Sequence, residues 1–179
     1  MIAKSQDVVV ALALVSLNRE HPERLQYARL AEMLGISNSE AFKTTRRLVA
    51  AHLVEPSGWR PLRNPLFNYL VYGVPHAFPG KLGEPTRGIP TAWAAPSLKS
   101  SLPQGSDLPP VWPWHDGKVR GHSVEPLLGS VPIAIKNLPS LYETLALVDA
   151  LRIGQARDRE IAREMLRKIL LDDTSMAHQ

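Results

Sequence analysis

Prolines and glycines divide this chain before any other feature does. Twelve of its sixteen prolines lie between Pro75 and Pro139, and eight of its eleven glycines between Gly73 and Gly129. Proline inside a helix removes a backbone donor and collides with the carbonyl one turn back, so residues 75–138 cannot hold long helices. The flanking segments are poorer in both residues and repeat apolar side chains at helical spacing. Three regions are expected: a compact helical one over 1–74, an irregular Pro/Gly/Trp-rich one over 75–138 packed on the core, and a helical pair over 139–179. The expected class is mainly α, with a short β-hairpin in the middle region.

Within the first region, Ser5 is placed to cap a helix reaching about Asn18, with Val8, Leu12 and Val15 inward. Asp7 interrupts the apolar run early, which favours a buried helix over a secretory leader. "REHPERLQ" reads as a polar link. A second helix spans about Tyr27 to Leu34 and stops at Gly35, which tolerates the left-handed conformation a helix end needs. "SNSE" (Ser37 to Glu40) is a capping box: the Ser37 oxygen takes one orphan amide, and Glu40 returns to the Ser37 amide. The third helix then runs to about Ala51, followed by a short strand at 53–56. Asn64 and Pro65 open a further helix.

The middle region holds three of the four tryptophans, Trp93, Trp112 and Trp114. In "VWPWHDGKVRG", Asp116-Gly117 signals a two-residue hairpin turn. Trp112 and Trp114 alternate, so in a strand they share one face, as core or as a ligand-binding or base-stacking wall. Residues 96–110 read as a mobile loop. Thr86-Arg87-Gly88 forms either an anion-binding nest or an ordered loop against the core. His115, His122 and Asp116 lack any known metal-ligand spacing and read as surface or packing residues. Farther on, Leu141, Leu145, Val148 and Leu151 share a helix face that ends at Gly154. The last helix turns Ile161, Leu166 or Met165, and Ile169 inward and lines its outer face with paired charges. The terminal "DDTSMAHQ" is expected to fray.

Net charge is +4. Residues 1–75 hold nine Lys/Arg against six Asp/Glu, whereas residues 139–179 hold six against seven. The basic end suits a polyanionic partner. The absence of cysteine excludes disulfides and thiolate metal sites and fits a cytoplasmic setting. There is no run of eighteen apolar residues to span a membrane. Neither a phosphate-binding loop nor a G-x-S-x-G nucleophile turn is present, so no enzyme activity and no cofactor are expected.

The stretch "LAEMLGISNSEAFKTTRRLVAAHLVE" (30–55) carries the functional signal. A helix-turn-helix needs a small residue at the helix crossing, a glycine or similar in the turn, an apolar plug after it, and a polar outer face on the second helix. Ala31, Gly35 and Ile36 supply the first three. Ala41, Thr45 and Leu48 fall inward by spacing. Asn38, Ser39, Glu40, Lys43, Arg46 and Arg47 are left near the surface. The bland alternative is a structural helical hairpin, or one used for protein contacts.

Leu30-Ala31, Leu34-Gly35-Ile36-Ser37, Ser39, Ala41, Lys43, Thr45, Leu48 and Leu53-Val54 fall in step with one known pattern. The stretch resembles the winged helix-turn-helix domains of the MarR type, over residues 4–74 at most. The resemblance implies that the Ser37–Ala51 helix enters the major groove, with Arg60 and Arg63 on a short wing turned at Ser57-Gly58. The DNA-contacting set it implies is Ser37, Asn38, Ser39, Glu40, Lys43, Arg46, Arg47, Arg60 and Arg63. His52 stands where the pattern has glycine, the wing is short, and Phe42 replaces a small polar residue, either packed inward or serving as an apolar contact. Residues 64–171 are similar to the tails of uncharacterised bacterial winged-helix proteins. The expected function is DNA-binding transcriptional regulation by a homodimer on double-stranded DNA. The rival is an antitoxin-like or adaptor protein that grips a partner protein through its C-terminal half.

Overall fold

Every residue from Asp7 to Leu17 is buried, so the first helix, α1 (Ser5–Glu20), has no solvent face along that run. Such a helix must sit at the centre of whatever forms around it. The computed structural model describes residues 3–20, 25–105 and 107–172. Residues 21–24 of the expected polar link at 19–26 and residues 173–179 of the terminal segment at 172–179 lie outside them. The chain is mainly helical with one small three-stranded sheet. Among the described residues, no helix is long and apolar enough to cross a membrane.

Two compact units form, one from residues up to 68 together with 127–142, the other from 69–126 together with 143 onward. In the first unit α1 packs on α3 (Asn38–Ala50), and α2 (Tyr27–Leu34) packs on α3 and on α6 (Val131–Asn137). The expected three-way division follows sequence character, and the units cut across it. Polar ties bring the distant α6 segment home: Ser130 Oγ donates to the Leu34 carbonyl at 2.6 Å and Asn137 to the Met33 carbonyl at 3.1 Å.

Both helices of the hairpin end the same way. Gly35 sits at φ 66°, and the Gly35 and Ile36 amides donate back to Glu32 and Ala31. His52 sits at φ 55°, and the His52 and Leu53 amides donate back to Val49 and Leu48. This is the paired bonding of a left-handed helix stop. His52 adopts the conformation usually left to glycine. The capping box is only half formed, because Ser37 accepts the Glu40 amide at 3.1 Å while the Glu40 carboxylate is taken by Gln6. The expected strand at 53–56 shrinks to a single antiparallel bridge, Val54 to Pro61, turned at Gly58.

A continuous helical path follows, from α4 (Arg63–Asn68) through a π-helical stretch (Tyr69–Gly73) into α5 (Val74–Ala77). Pro75 has no amide to donate one turn back, and the widened turn before it relieves the ring's clash with the preceding carbonyls.

In the second unit the expected β-hairpin does not form. β2 (Pro110–Pro113) and β3 (Val119–Ser123) pair parallel to each other, and each pairs antiparallel with β1 (Pro85–Pro90). The Asp116-Gly117 turn is present, closed by the Gly117 amide on the Trp114 carbonyl. It returns the chain to the same direction along β1 instead of reversing it. The missing partner was β1, hidden in a Pro/Gly-rich stretch. Its Gly88 lies so close to the Trp112 carbonyl and to Gly117 that a side chain at 88 or 117 would collide with backbone. The possible nest at Thr86-Arg87-Gly88 is therefore a strand. Prolines sit at the ends of β1 and β2, where a missing donor costs least. Within the mobile loop expected at 96–110, Leu98 and Leu102 are buried, Leu108 is exposed, and residue 106 lies outside the described residues. After β3, α7 (Ser140–Ile153) buries every residue from Thr144 to Leu151, and α8 (Ala156–Leu171) buries Ala162, Leu166 and Leu170. Ile161, Met165 and Ile169 of α8 are half-buried rather than inward.

Candidate nucleic-acid interface

Two consecutive residues of α1 fix how α3 is rotated. Gln6 Nε2 donates to Glu40 Oε2 at 2.7 Å and to Thr44 Oγ1 at 3.0 Å. Asp7 accepts Arg47 Nε at 3.1 Å and Nη2 at 2.7 Å, and Arg47 also donates to Thr44. Glu40, Thr44 and Arg47 stand one turn apart, so they form one stripe along α3. The Gln6 bond draws the Glu40 carboxyl below its ordinary range, and the Asp7 bond raises the Arg47 guanidinium above its own. A stripe clamped to α1 sends the opposite side of α3 outward.

That opposite side carries Asn38, Ser39, Phe42, Lys43 and Arg46, all exposed, while Ala41, Thr44, Thr45 and Leu48 are buried. Four of the nine sequence-derived contact residues thus share one open face. Ser37 is exposed, but its hydroxyl is engaged as the cap. Glu40 turns toward α1. Arg47 is a correction: its side chain is only 13% exposed and paired with Asp7, itself 5% exposed. It orients the helix and is not an open cation. Arg60 is exposed on the short hairpin, where its carbonyl accepts the Glu55 amide at 2.8 Å. Arg63 is half-buried at the first position of α4 and already has an interaction partner.

The hairpin is held close to the helix pair. Asn18 of α1 donates to the Trp59 carbonyl at 2.6 Å, and a side chain at Gly58 would touch Thr45 of α3. Sequence reasoning missed the clamp of α3 on α1. Its signal was Asp7, a charge inside an apolar run, since a buried carboxylate requires a partner.

The second unit offers a different polar centre. Asp149 accepts bonds from Thr91 Oγ1, Trp112 Nε1 and Arg152 Nη1, each at 2.7 Å. Burial pushes its carboxyl above the usual range, against the pull of Arg152 and the other donors. Trp112 is therefore core, not a stacking wall, and Trp114 is half-buried against His115. Beside this centre lies a cavity of about 550 Å³ whose charged groups are Lys81, Glu125 and Arg152. Arg152 is committed to Asp149 and to the Phe78 and Glu125 carbonyls. His115 pairs with Asp116 at the surface, and His122 bonds the Gly83 carbonyl. Among the described residues, no group of three or more His, Asp or Glu is placed to hold a metal.

No protein-family model matches the chain, and neither a curated protein nor a solved structure does.

Proposed function

We propose that the protein is a DNA-binding transcriptional regulator of the winged helix-turn-helix type, a bacterial cytoplasmic homodimer that needs no cofactor and catalyses no reaction. One observation carries this reading: the open face of α3 joins hydrogen-bonding groups near its N-terminus, Asn38 and Ser39, to the cations Lys43 and Arg46 farther along. Base edges are read by the first kind of group, and phosphates are neutralised by the second. Arg60 on the adjoining hairpin adds a further exposed cation. The half-buried row Ile161, Met165 and Ile169 on α8, spaced one turn apart, supports pairing with a second copy.

The test is duplex binding by anisotropy across a salt series. Replacing Lys43 and Arg46 together by Ala should weaken binding to every sequence and lower the salt slope by about two, since each phosphate contact contributes about 0.9. Asn38→Ala should alter sequence preference and leave the slope alone. Salt-independent binding by the unaltered protein would sink the reading.

A second reading, a partner-protein scaffold of the antitoxin or adaptor kind, is favoured by the single-bridge hairpin and by the exposed Tyr72, Leu82 and Leu108 of the second unit. A stoichiometric complex that survives high salt would support it.

A further inference from the structure

Phe42 is the anomaly of the α3 face. It is 49% exposed, one helical turn from both Asn38 and Arg46, where an apolar ring gains nothing from water. Yet the ring is not loose. Tyr27 meets it edge-on, with centroids 5.3 Å apart and planes at 81°. Tyr27 in turn lies against Trp59 at 4.5 Å and 36°. The three rings come from α2, α3 and the hairpin. Such edge-to-face contacts are favourable in themselves. They present one side of Phe42 outward in a set orientation, so little ordering cost remains when something binds there.

The surroundings select the occupant. An anchor for an apolar protein pocket would open onto apolar neighbours, whereas beyond its contact with Tyr27 the open side of Phe42 is flanked along α3 by Asn38, Ser39, Lys43 and Arg46. Those neighbours complement a polyanion with polar edges. In the major groove, the apolar feature that a phenyl ring can meet is the 5-methyl group of thymine. We infer that Phe42 is a specificity-determining residue that packs on a thymine methyl in each half-site. This rests on the DNA-binding reading above, and its test separates the two.

The probe is a duplex recovered by selection from a random pool, compared with versions in which thymines are replaced one at a time by uracil. Uracil removes the methyl and leaves the hydrogen-bonding edges intact. The unaltered full-length protein should bind about fourfold more weakly at one thymine per half-site, the effect of one methyl group no longer buried. Phe42→Ala should bind the thymine and uracil versions of that position alike, and Phe42→Leu, which keeps an apolar group, should retain part of the difference. If uracil changes nothing at any position, the Phe42 inference fails while DNA reading stands. If the uracil effect persists in Phe42→Ala, another residue reads the methyl and the inference also fails. If selection recovers no duplex, both fail, and Phe42 becomes an anchor for a protein partner.

Discussion

Helices α1 and α7 are alike in that each buries long runs on every side and each carries one buried aspartate, Asp7 and Asp149. They use that charge differently. Asp7 accepts the Lys4 amide at the start of its own helix and one side chain, Arg47 on a neighbouring helix, two of whose guanidinium nitrogens reach the carboxylate. Asp149 binds three groups from three places: Thr91 after β1, Trp112 in β2 and Arg152 on its own helix. Around α1, regular helices already satisfy their own backbones and bury their own stripes, so the ion pair has only to set the rotation of α3. Around α7 the chain is irregular and has few ladders. There a single carboxylate replaces secondary structure as the organiser, with Arg152 extending its reach to the Phe78 and Glu125 carbonyls.

The sharpest way to break this contrast is Asp149→Ala. It takes the counter-charge from the buried Arg152 guanidinium and the shared acceptor from Thr91 and Trp112, and should cost about 3 to 5 kcal/mol in chemical denaturation. Asp7→Ala should cost about 2 kcal/mol, the worth of a charged hydrogen-bonded pair, because Arg47 keeps Thr44 and some water. Equal losses would erase the distinction. Double replacement sharpens it further. Asp7→Leu with Arg47→Met should recover most of the stability, as apolar substitutes for a buried pair often do. Asp149→Leu with Arg152→Met should not, because Thr91 Oγ1 and Trp112 Nε1 lose the acceptor they share and the Phe78 and Glu125 carbonyls lose their Arg152 donor.

Because the α1 unit relies on ordinary helix chemistry, ordinary helix repair should work there. His52→Gly relieves a left-handed non-glycine residue and should raise stability by about 1 kcal/mol, measured as a shift in the denaturation midpoint at constant slope. No gain would mean that the His52 side chain contributes something its conformation conceals. The smallest effect is confined to alkaline pH. Burial pushes the Tyr142 phenol from 10.0 up to about 12. The folded chain holds that proton more tightly than the unfolded one, so this contribution is complete below about pH 10 and is lost as pH rises through about 12. In a tyrosinate absorbance titration, Tyr142→Phe should remove a step near pH 12.

Local rules carried the reading of the helical hairpin, and they failed where contacts were long-range. Gly35 announces its own helix stop, and the 3.6-residue spacing separates Ala41 and Leu48 from Asn38 and Lys43. Arg46 and Arg47 are indistinguishable by type, and they part only because Asp7, forty residues earlier in the chain, faces one of them. His52 was legible as a departure from a pattern, yet it keeps the conformation that the pattern implies. In the middle region, Asp116-Gly117 correctly marked a turn. Its partner strand lies in "PTRGIP", a sequence with no strand signature, where Gly88 lets the backbone of the Gly117 turn and of Trp112 come close. In the loop expected over 96–110 the Ser/Pro/Gly composition hides two leucines, Leu98 and Leu102, that are buried.

The measurement that tests the central claim most directly is selection of the full-length protein on a pool of random duplex DNA at two salt concentrations, followed by sequencing. The account predicts enrichment of a two-fold-related site, with half-sites about one helical turn apart and affinity falling steeply as salt rises. No enrichment at either salt, with whatever binding remains indifferent to salt, would contradict it and leave the open face of α3 as a surface for a protein.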